Sequence, residues 1–375
     1  MTNEQQSQEE EAVLEATLLS HNDSIRIYLG IFLGITLILT TGYLASVFID
    51  ENPFSSRPSN LALENQEVYA ELIQKDEVSL DGDGIRVCIV DSGIDTSHKD
   101  LDGINLVAWK DFISNQPEPY DDEGHGTSMA GILVADGWVE GIAPEVELVV
   151  AKALSSDGSG DDSIVADAID WCVEQGVQII SLSLGGAPGL IPFNPFSGRD
   201  SGDASNDAID QGIVVIAAAG NDGGPDDDGD VAHPSSESLV ICVGGITTSG
   251  EHWNGSSTGD NNGNLFPIIL PRSDPHKKPE VVAPAEKVPV INNEGTWSLV
   301  NGTSAATVFV TGAIALLLEE FPNLAANSTQ GSSDTVVQIK QAIMDSSKPL
   351  PNQDGHDDDY GYGIIQIENL IASFE

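Results

Sequence analysis

Val87-Cys88-Ile89-Val90-Asp91-Ser92-Gly93 is a continuous apolar run that ends in a carboxylate and then turns. Four consecutive apolar residues with no polar alternation suit a strand buried on both faces, as in a parallel sheet. Similar Val- and Ile-rich runs recur at 85–90, 146–151, 177–182, 212–217 and 239–244. Helical stretches alternate with them at about 126–135, 162–175, 204–211, 304–320 and 335–346. Strand–helix alternation with glycine-rich junctions predicts an α/β domain, its sheet covered by helices on both faces. In such sheets the chemistry collects at the carboxyl ends of the strands, which is where Asp91 falls.

Two further segments carry chemistry. In Gly124-His125-Gly126-Thr127-Ser128-Met129, glycines flank a histidine where a helix begins, so the imidazole can be approached from both sides. In Asn301-Gly302-Thr303-Ser304-Ala305-Ala306, a serine opens a long apolar helix, where unpaired backbone N–H groups favour negative charge. Singly, each motif is ordinary: Asp-Ser-Gly is common in turns and Gly-Thr-Ser caps many helices. Together, in the order acid, imidazole, hydroxyl and each at an element end, they are hard to obtain by chance.

These three segments resemble the signature motifs of the subtilisin-like serine proteases (subtilases), in that family's order, and the resemblance extends over about residues 68–372. It implies a three-layer α/β/α domain with a mostly parallel central sheet over residues 67–375. It also implies an Asp91–His125–Ser304 triad that hydrolyses peptide bonds through an acyl-enzyme. Ala217-Ala218-Ala219-Gly220-Asn221 resembles the strand that ends in the oxyanion-hole asparagine, which makes Asn221 a catalytic residue. Gly158-Ser159-Gly160 and Ser183-Leu184-Gly185-Gly186 resemble the two edges that pair with substrate backbone. Pocket residues Ser183, Leu184, Gly185, Ala218, Ala219 and Gly220 carry no charge, which predicts an apolar or broad preference before the cut. Ala232 is expected at the pocket floor. Ser304 is followed by Ala305 and Val308 where many relatives have methionine and proline. An enzyme of narrow processing specificity and a silent relative that only binds peptides are the competing functions.

The chemistry needs no cofactor. For metal, Asp226, Asp228 and Asp230, with Asp222 and Asp227, have two readings: carboxylate ligands of a structural calcium or an acidic surface loop. Asp100 sits where a calcium ligand lies in some relatives, but the loop 136–140 is short.

Outside the domain, residues 1–24 form an acidic, polar tail expected to be disordered. Ile25 to Ile49 carries one charge, Arg26. As a helix it spans roughly 37 Å, enough to cross a bilayer, and is expected to be a transmembrane anchor with the enzyme on the extracytoplasmic side. Residues 50–66 are expected to be a linker. The chain has 14 Lys+Arg against 60 Asp+Glu, a net charge of −46. That balance excludes binding to a phosphate backbone. It favours adaptation to high salt, which screens self-repulsion, over an acidic solvated surface with no special setting. The expected partners are peptide or protein substrates and the membrane. Each cysteine, Cys88, Cys172 and Cys242, sits in an apolar run and is expected to be a buried free thiol.

Overall fold

A computed structural model describes residues 35–37, 40–41, 57–185, 199–224, 229–265, 268–326, 328 and 331–375. Two units divide at Ser55/Ser56, and the fold described is that of the second, Ser56–Glu375. Of the expected anchor 25–49, residues 35–37 and 40–41 are helical, and the rest lies outside the described residues.

Seven strands form one sheet: β1 (Arg86–Asp91), β2 (Leu106–Asp111), β3 (Glu147–Lys152), β4 (Ile179–Leu182), β5 (Val214–Ala218), β6 (Ile241–Ile246) and β9 (Val281–Pro284). Their order is β2-β3-β1-β4-β5-β6-β9, and every neighbouring pair is parallel. The five predicted runs match β1, β3, β4, β5 and β6 to within two residues at either end. Edge strand β2 escaped prediction because Leu106–Asp111 is only partly covered and reads as mixed polarity. Two short pairs lie outside this sheet: β7 (Asn264–Leu265) with β8 (Ile268–Ile269), and β10 (Val288–Ile291) with β11 (Trp297–Val300).

Helices α2 (His125–Val134) and α5 (Thr303–Glu320) pack on each other, and α5 also covers β4, β5, β6 and β9. Helices α3 (Asp162–Glu174) and α4 (Ser201–Asp210) form a second packed pair. Helix α5 is apolar on every side because Thr303–Leu318 is buried throughout. Its 18 residues have the length and hydropathy of a membrane span, but the protein core encloses them. Helices α6 (Ser333–Ser346) and α7 (Ile367–Ala372) complete the domain.

Two expectations are corrected by the fold. Residues 60–66, assigned to a linker, form the first half of helix α1 (Asn60–Leu72). Ser59 caps it by accepting from Ala62 N at 3.1 Å, and Ala62, Asn65 and Tyr69 recur at helical spacing on its buried side. Asn65 Nδ2 donates to Lys287 O at 2.8 Å and Tyr69 Oη to Glu286 O, which ties this helix to the domain. Second, Cys88 and Cys172 are not free thiols: they form a disulfide joining β1 to α3, with Cα atoms 5.9 Å apart. The partners are 84 residues apart, and only the crossover that lays α3 against β1 brings them together. Cys242 is free, and burial pushes its thiol up to about 12, so it is no nucleophile at neutral pH.

Candidate active site

Because the strands are parallel, the residues that leave β1, β4 and β5 emerge at one edge of the sheet: Asp91, Ser183 and, with two residues between it and the end of β5, Asn221. Asp91 is fully buried, and His125 Nδ1 lies 2.8 Å from its Oδ1 and 3.0 Å from its Oδ2. Glycine makes this approach possible. Gly93 turns with φ +125°, and a Cβ there would sit 2.1 Å from Tyr120 O; a Cβ on Gly126 would sit 2.2 Å from Gly93 O. Burial works against a charged imidazole at His125, but the Asp91 carboxylate outweighs it and lifts the imidazole to about 9.

One residue that joins these pieces was missed from sequence. Buried Asp121 accepts from Ser92 Oγ at 2.9 Å, Glu123 N at 3.1 Å and Gly124 N at 2.8 Å. Its other oxygen accepts from Thr127 N at 2.9 Å and Thr127 Oγ1 at 2.6 Å. Ser92 Oγ in turn accepts from Gly126 N at 2.8 Å. The end of β1 and the start of α2 are thus clamped through a single carboxylate. Its signal was an acid four residues before the histidine, indistinguishable by type from its neighbours Asp122 and Glu123.

Ser304 lies in the first turn of α5, nearly buried at the cleft wall. Its Oγ donates to Ser183 O at 3.0 Å, and Ser183 Oγ donates to Ser304 O at 3.0 Å. Asn221 Oδ1 accepts from Thr303 N at 2.9 Å and Thr303 Oγ1 at 3.0 Å. This fixes the amide plane and leaves Nδ2 without a role in that pair, on a residue that lines the cleft.

A single cleft of about 790 Å³ is lined by His125, Ser304 and Asn221 together with Gly158, Ser159, Gly160, Ser183, Leu184, Gly185, Ala218, Gly220 and Ala232. Ala219 is not among them. Side chains alternate along an extended strand, and its methyl packs instead with Val231 and Cys242. Ala232 is at the pocket wall, since a Cβ on Gly185 would come within 2.7 Å of the Ala232 Cβ.

Of the aspartates 222, 226, 227, 228 and 230 named as candidate calcium ligands, Asp222 and Asp230 fall among the described residues. Asp226 and Asp228 lie outside the described residues. Asp230 is held by Arg272 in a two-pronged ion pair, Nη1–Oδ1 2.6 Å and Nη2–Oδ2 2.9 Å, so the guanidinium supplies its counter-charge. Asp100 is likewise occupied, accepting from Trp297 Nε1 at 2.7 Å and Val139 N at 3.0 Å.

A parallel α/β sheet that carries an acid–imidazole pair and a serine at one edge defines a serine hydrolase class. The chain belongs to the subtilase family of serine-type endopeptidases, whose sequence pattern matches residues 82–363. It is 31% identical to subtilisin DY of Bacillus licheniformis over 79% of this chain and 95% of that protein. Against subtilisin E of Bacillus subtilis it is 30% identical over 76% of this chain and 65% of that protein. Serine protease AprX of Bacillus subtilis is 28% identical, over 81% and 70% of the two chains. In fold it is similar to a cold adapted subtilisin-like serine proteinase, with a TM-score of 0.59, 24% identity and coverage of 77% and 90%.

Proposed function

We propose that the chain is a membrane-anchored endopeptidase in which Ser304, His125 and Asp91 act as nucleophile, base and orienting acid, with Asn221 in the oxyanion hole. The observation that carries this is the Asp91–His125 bond of 2.8 Å on the wall of the cleft that also presents Ser304 and Asn221. A serine hydroxyl is a poor nucleophile until a base takes its proton. For the reaction Ser304 Oγ gives up its bond to Ser183 O and passes its proton to the imidazole instead. His125 Nε2 takes the proton as Oγ bonds the scissile carbonyl carbon, and returns it to the departing amine. Asp91 keeps the proton-bearing Nδ1 in place and stabilises the imidazolium. Negative charge on the carbonyl oxygen is met by Asn221 Nδ2 and the Ser304 backbone N–H. Water then repeats the sequence on the acyl-enzyme. The substrate lies as an added strand between the Gly158–Gly160 and Ser183–Gly185 edges, with an uncharged side chain against Ala218, Gly220 and Ala232.

Anchoring is assigned to residues 25–49, from their length and single charge. The Cys88–Cys172 disulfide supports an oxidising, extracytoplasmic compartment for the catalytic domain. The net charge of −46 supports a salt-rich setting, in which self-repulsion is screened. The test of the chemistry is labelling by a fluorophosphonate together with peptide cleavage. Both are expected to vanish in Ser304→Ala, and labelling that persists in that variant overturns the assignment of the nucleophile.

A further inference from the structure

Beyond the uncharged pocket, the same cleft ends in a group of polar side chains to which the hydrolytic mechanism gives no work. Asp162 opens α3, and Asp200 caps α4 by accepting from Asp203 N at 2.8 Å. Helices α3 and α4 pack side by side and their first turns meet, with Asp162 Oδ1 accepting from Ser201 N at 3.3 Å. His233 Nε2 lies 4.0 Å from Asp162 Oδ2 and 3.8 Å from Asp200 Oδ1. Asp162, His233 and Ser201 all line the cleft that holds Ser304. Ser201 is 1% exposed, and its Oγ has no hydrogen-bond partner among the described residues. Buried hydroxyls without partners are uncommon and cost free energy, so an unsatisfied one on a cleft wall points to a missing ligand atom.

The chemistry of that ligand follows from what the wall offers. His233 Nε2 accepts from Gly202 N at 3.2 Å, so its lone pair is taken by that N–H and the ring bears its proton on Nδ1. The two carboxylates converge beside the imidazole, with their oxygens and Nε2 within 4.8 Å of one another, and an N–H-rich cation resolves that crowding of negative charge. The helix N-termini contribute roughly half a positive charge each, less than the two carboxylates they meet. The neighbouring cation Arg199 is engaged elsewhere, with Nη2 2.7 Å from Asp170 and Nη1 2.5 Å from Asp207. Among the described cleft-lining residues there is acid at Glu123, Asp162, Asp222 and Asp230, and neither lysine nor arginine. A small divalent metal fits less well. Adjacent ligands around such an ion stand about 3.0–3.4 Å apart, closer than the 3.8 and 4.0 Å found here, and the Nε2 lone pair is already used by Gly202. An ammonium or guanidinium bridges wider gaps with hydrogen bonds of about 2.8 Å.

We propose that Asp162, Asp200, Ser201 and His233 form a subsite for a lysine or arginine side chain of the substrate, upstream of the scissile bond and separate from the residue in the uncharged pocket. This rests on the endopeptidase reading above. The placement follows from the edge Gly158–Gly160: a strand added there runs directly past Asp162, two residues beyond Gly160. The enzyme then selects peptides by an apolar residue at the cut and a basic one at a fixed distance before it.

The test is cleavage of a peptide set in which each of four upstream positions carries Lys, Arg, Ala or Glu in turn. At one position Lys and Arg are expected to exceed Ala by about tenfold in kcat/KM at 0.1 M salt, with Glu below Ala. Raising NaCl to 1 M should shrink that ratio several-fold in the unaltered enzyme. In Asp162→Asn/Asp200→Asn the ratio should fall to about one; a general loss of activity cancels because both peptides meet the same enzyme. Neutral peptides cut in a Ser304-dependent way with no basic preference at any upstream position would sink the subsite and leave the protease standing. Absence of all cleavage and of fluorophosphonate labelling would instead remove the protease reading and this subsite with it. Titration of Ser304→Ala protein with MnCl₂ or CaCl₂ alone is a second arm. Cation binding that the double Asn variant abolishes would make this a metal site and overturn the proposal.

Discussion

Replacing Asp121 by alanine tests whether the clamp between β1 and α2 holds the catalytic pair together. The carboxylate accepts five hydrogen bonds, and their donors differ in what they do next. Glu123 N lies near solvent, Ser92 Oγ also accepts from Gly126 N, and Thr127 Oγ1 also accepts from Asp95 N. Gly124 N and Thr127 N are left with no acceptor in a buried setting. Each such orphan costs about 1–3 kcal/mol, so the variant should lose about 4 kcal/mol of stability. The assay is urea unfolding in a Ser304→Ala background, which prevents self-digestion. In the active background kcat/KM should drop about 10²-fold, because small displacements of a catalytic base carry that cost. Although burial opposes the charged form of Asp121, the hydrogen bonds from Thr127 and Gly124 overcome it and hold its carboxyl below the ordinary range. Such a group contributes stability above the unfolded carboxylate value of about 3.9 that is lost as pH falls through its lower folded value. The variant should therefore also lose less stability on acidification than its parent. A loss under 1 kcal/mol, with kcat/KM within threefold of the parent, would refute the clamp.

With the His125 imidazole lifted to about 9, kcat/KM should keep rising with pH past neutrality and level off only on the alkaline side; a plateau already reached at pH 7 would contradict the pairing with Asp91. The same pairing stabilises the fold below the unfolded imidazole value of about 6.5 and is lost as pH rises through about 9, so unfolding midpoints should decline over that window. Asn221→Ala should lower kcat by about 10²–10³ with little change in KM, a magnitude taken from mutagenesis of a subtilisin rather than worked out from this geometry. Unfolding with and without reductant should differ by about 4–5 kcal/mol, from the 84-residue span that the Cys88–Cys172 bond closes; coincident curves would mean the thiols are not joined.

How much was legible in sequence depends on the range of the interaction. Strands β1, β3, β4, β5 and β6 announced themselves because burial on both faces forces continuous apolar runs. The acid, imidazole and serine were legible because each sits at an element end with its own glycines and caps. Residues 60–66 of helix α1 were misread as linker although Ala62 and Asn65 keep helical spacing with Tyr69, because the charged, sparse pattern around them resembles a solvated segment. Ala219 was placed in the pocket from its neighbours, and strand alternation turned it the other way.

Local chemistry alone determined the family's motifs, the parallel α/β pattern and the order of the site residues, since turns, caps and apolar runs are written within a few residues of each other. Folding over long separations decided the rest. The disulfide needs α3 laid on β1, Asp121 needs Ser92 and Thr127 on either side of it, and the acidic end of the cleft needs two helix starts and His233 brought together from three stretches of chain. Residue type along the chain fixes what a side chain can do, but its partners are chosen by topology, because a contact between distant segments leaves no pattern in either of them.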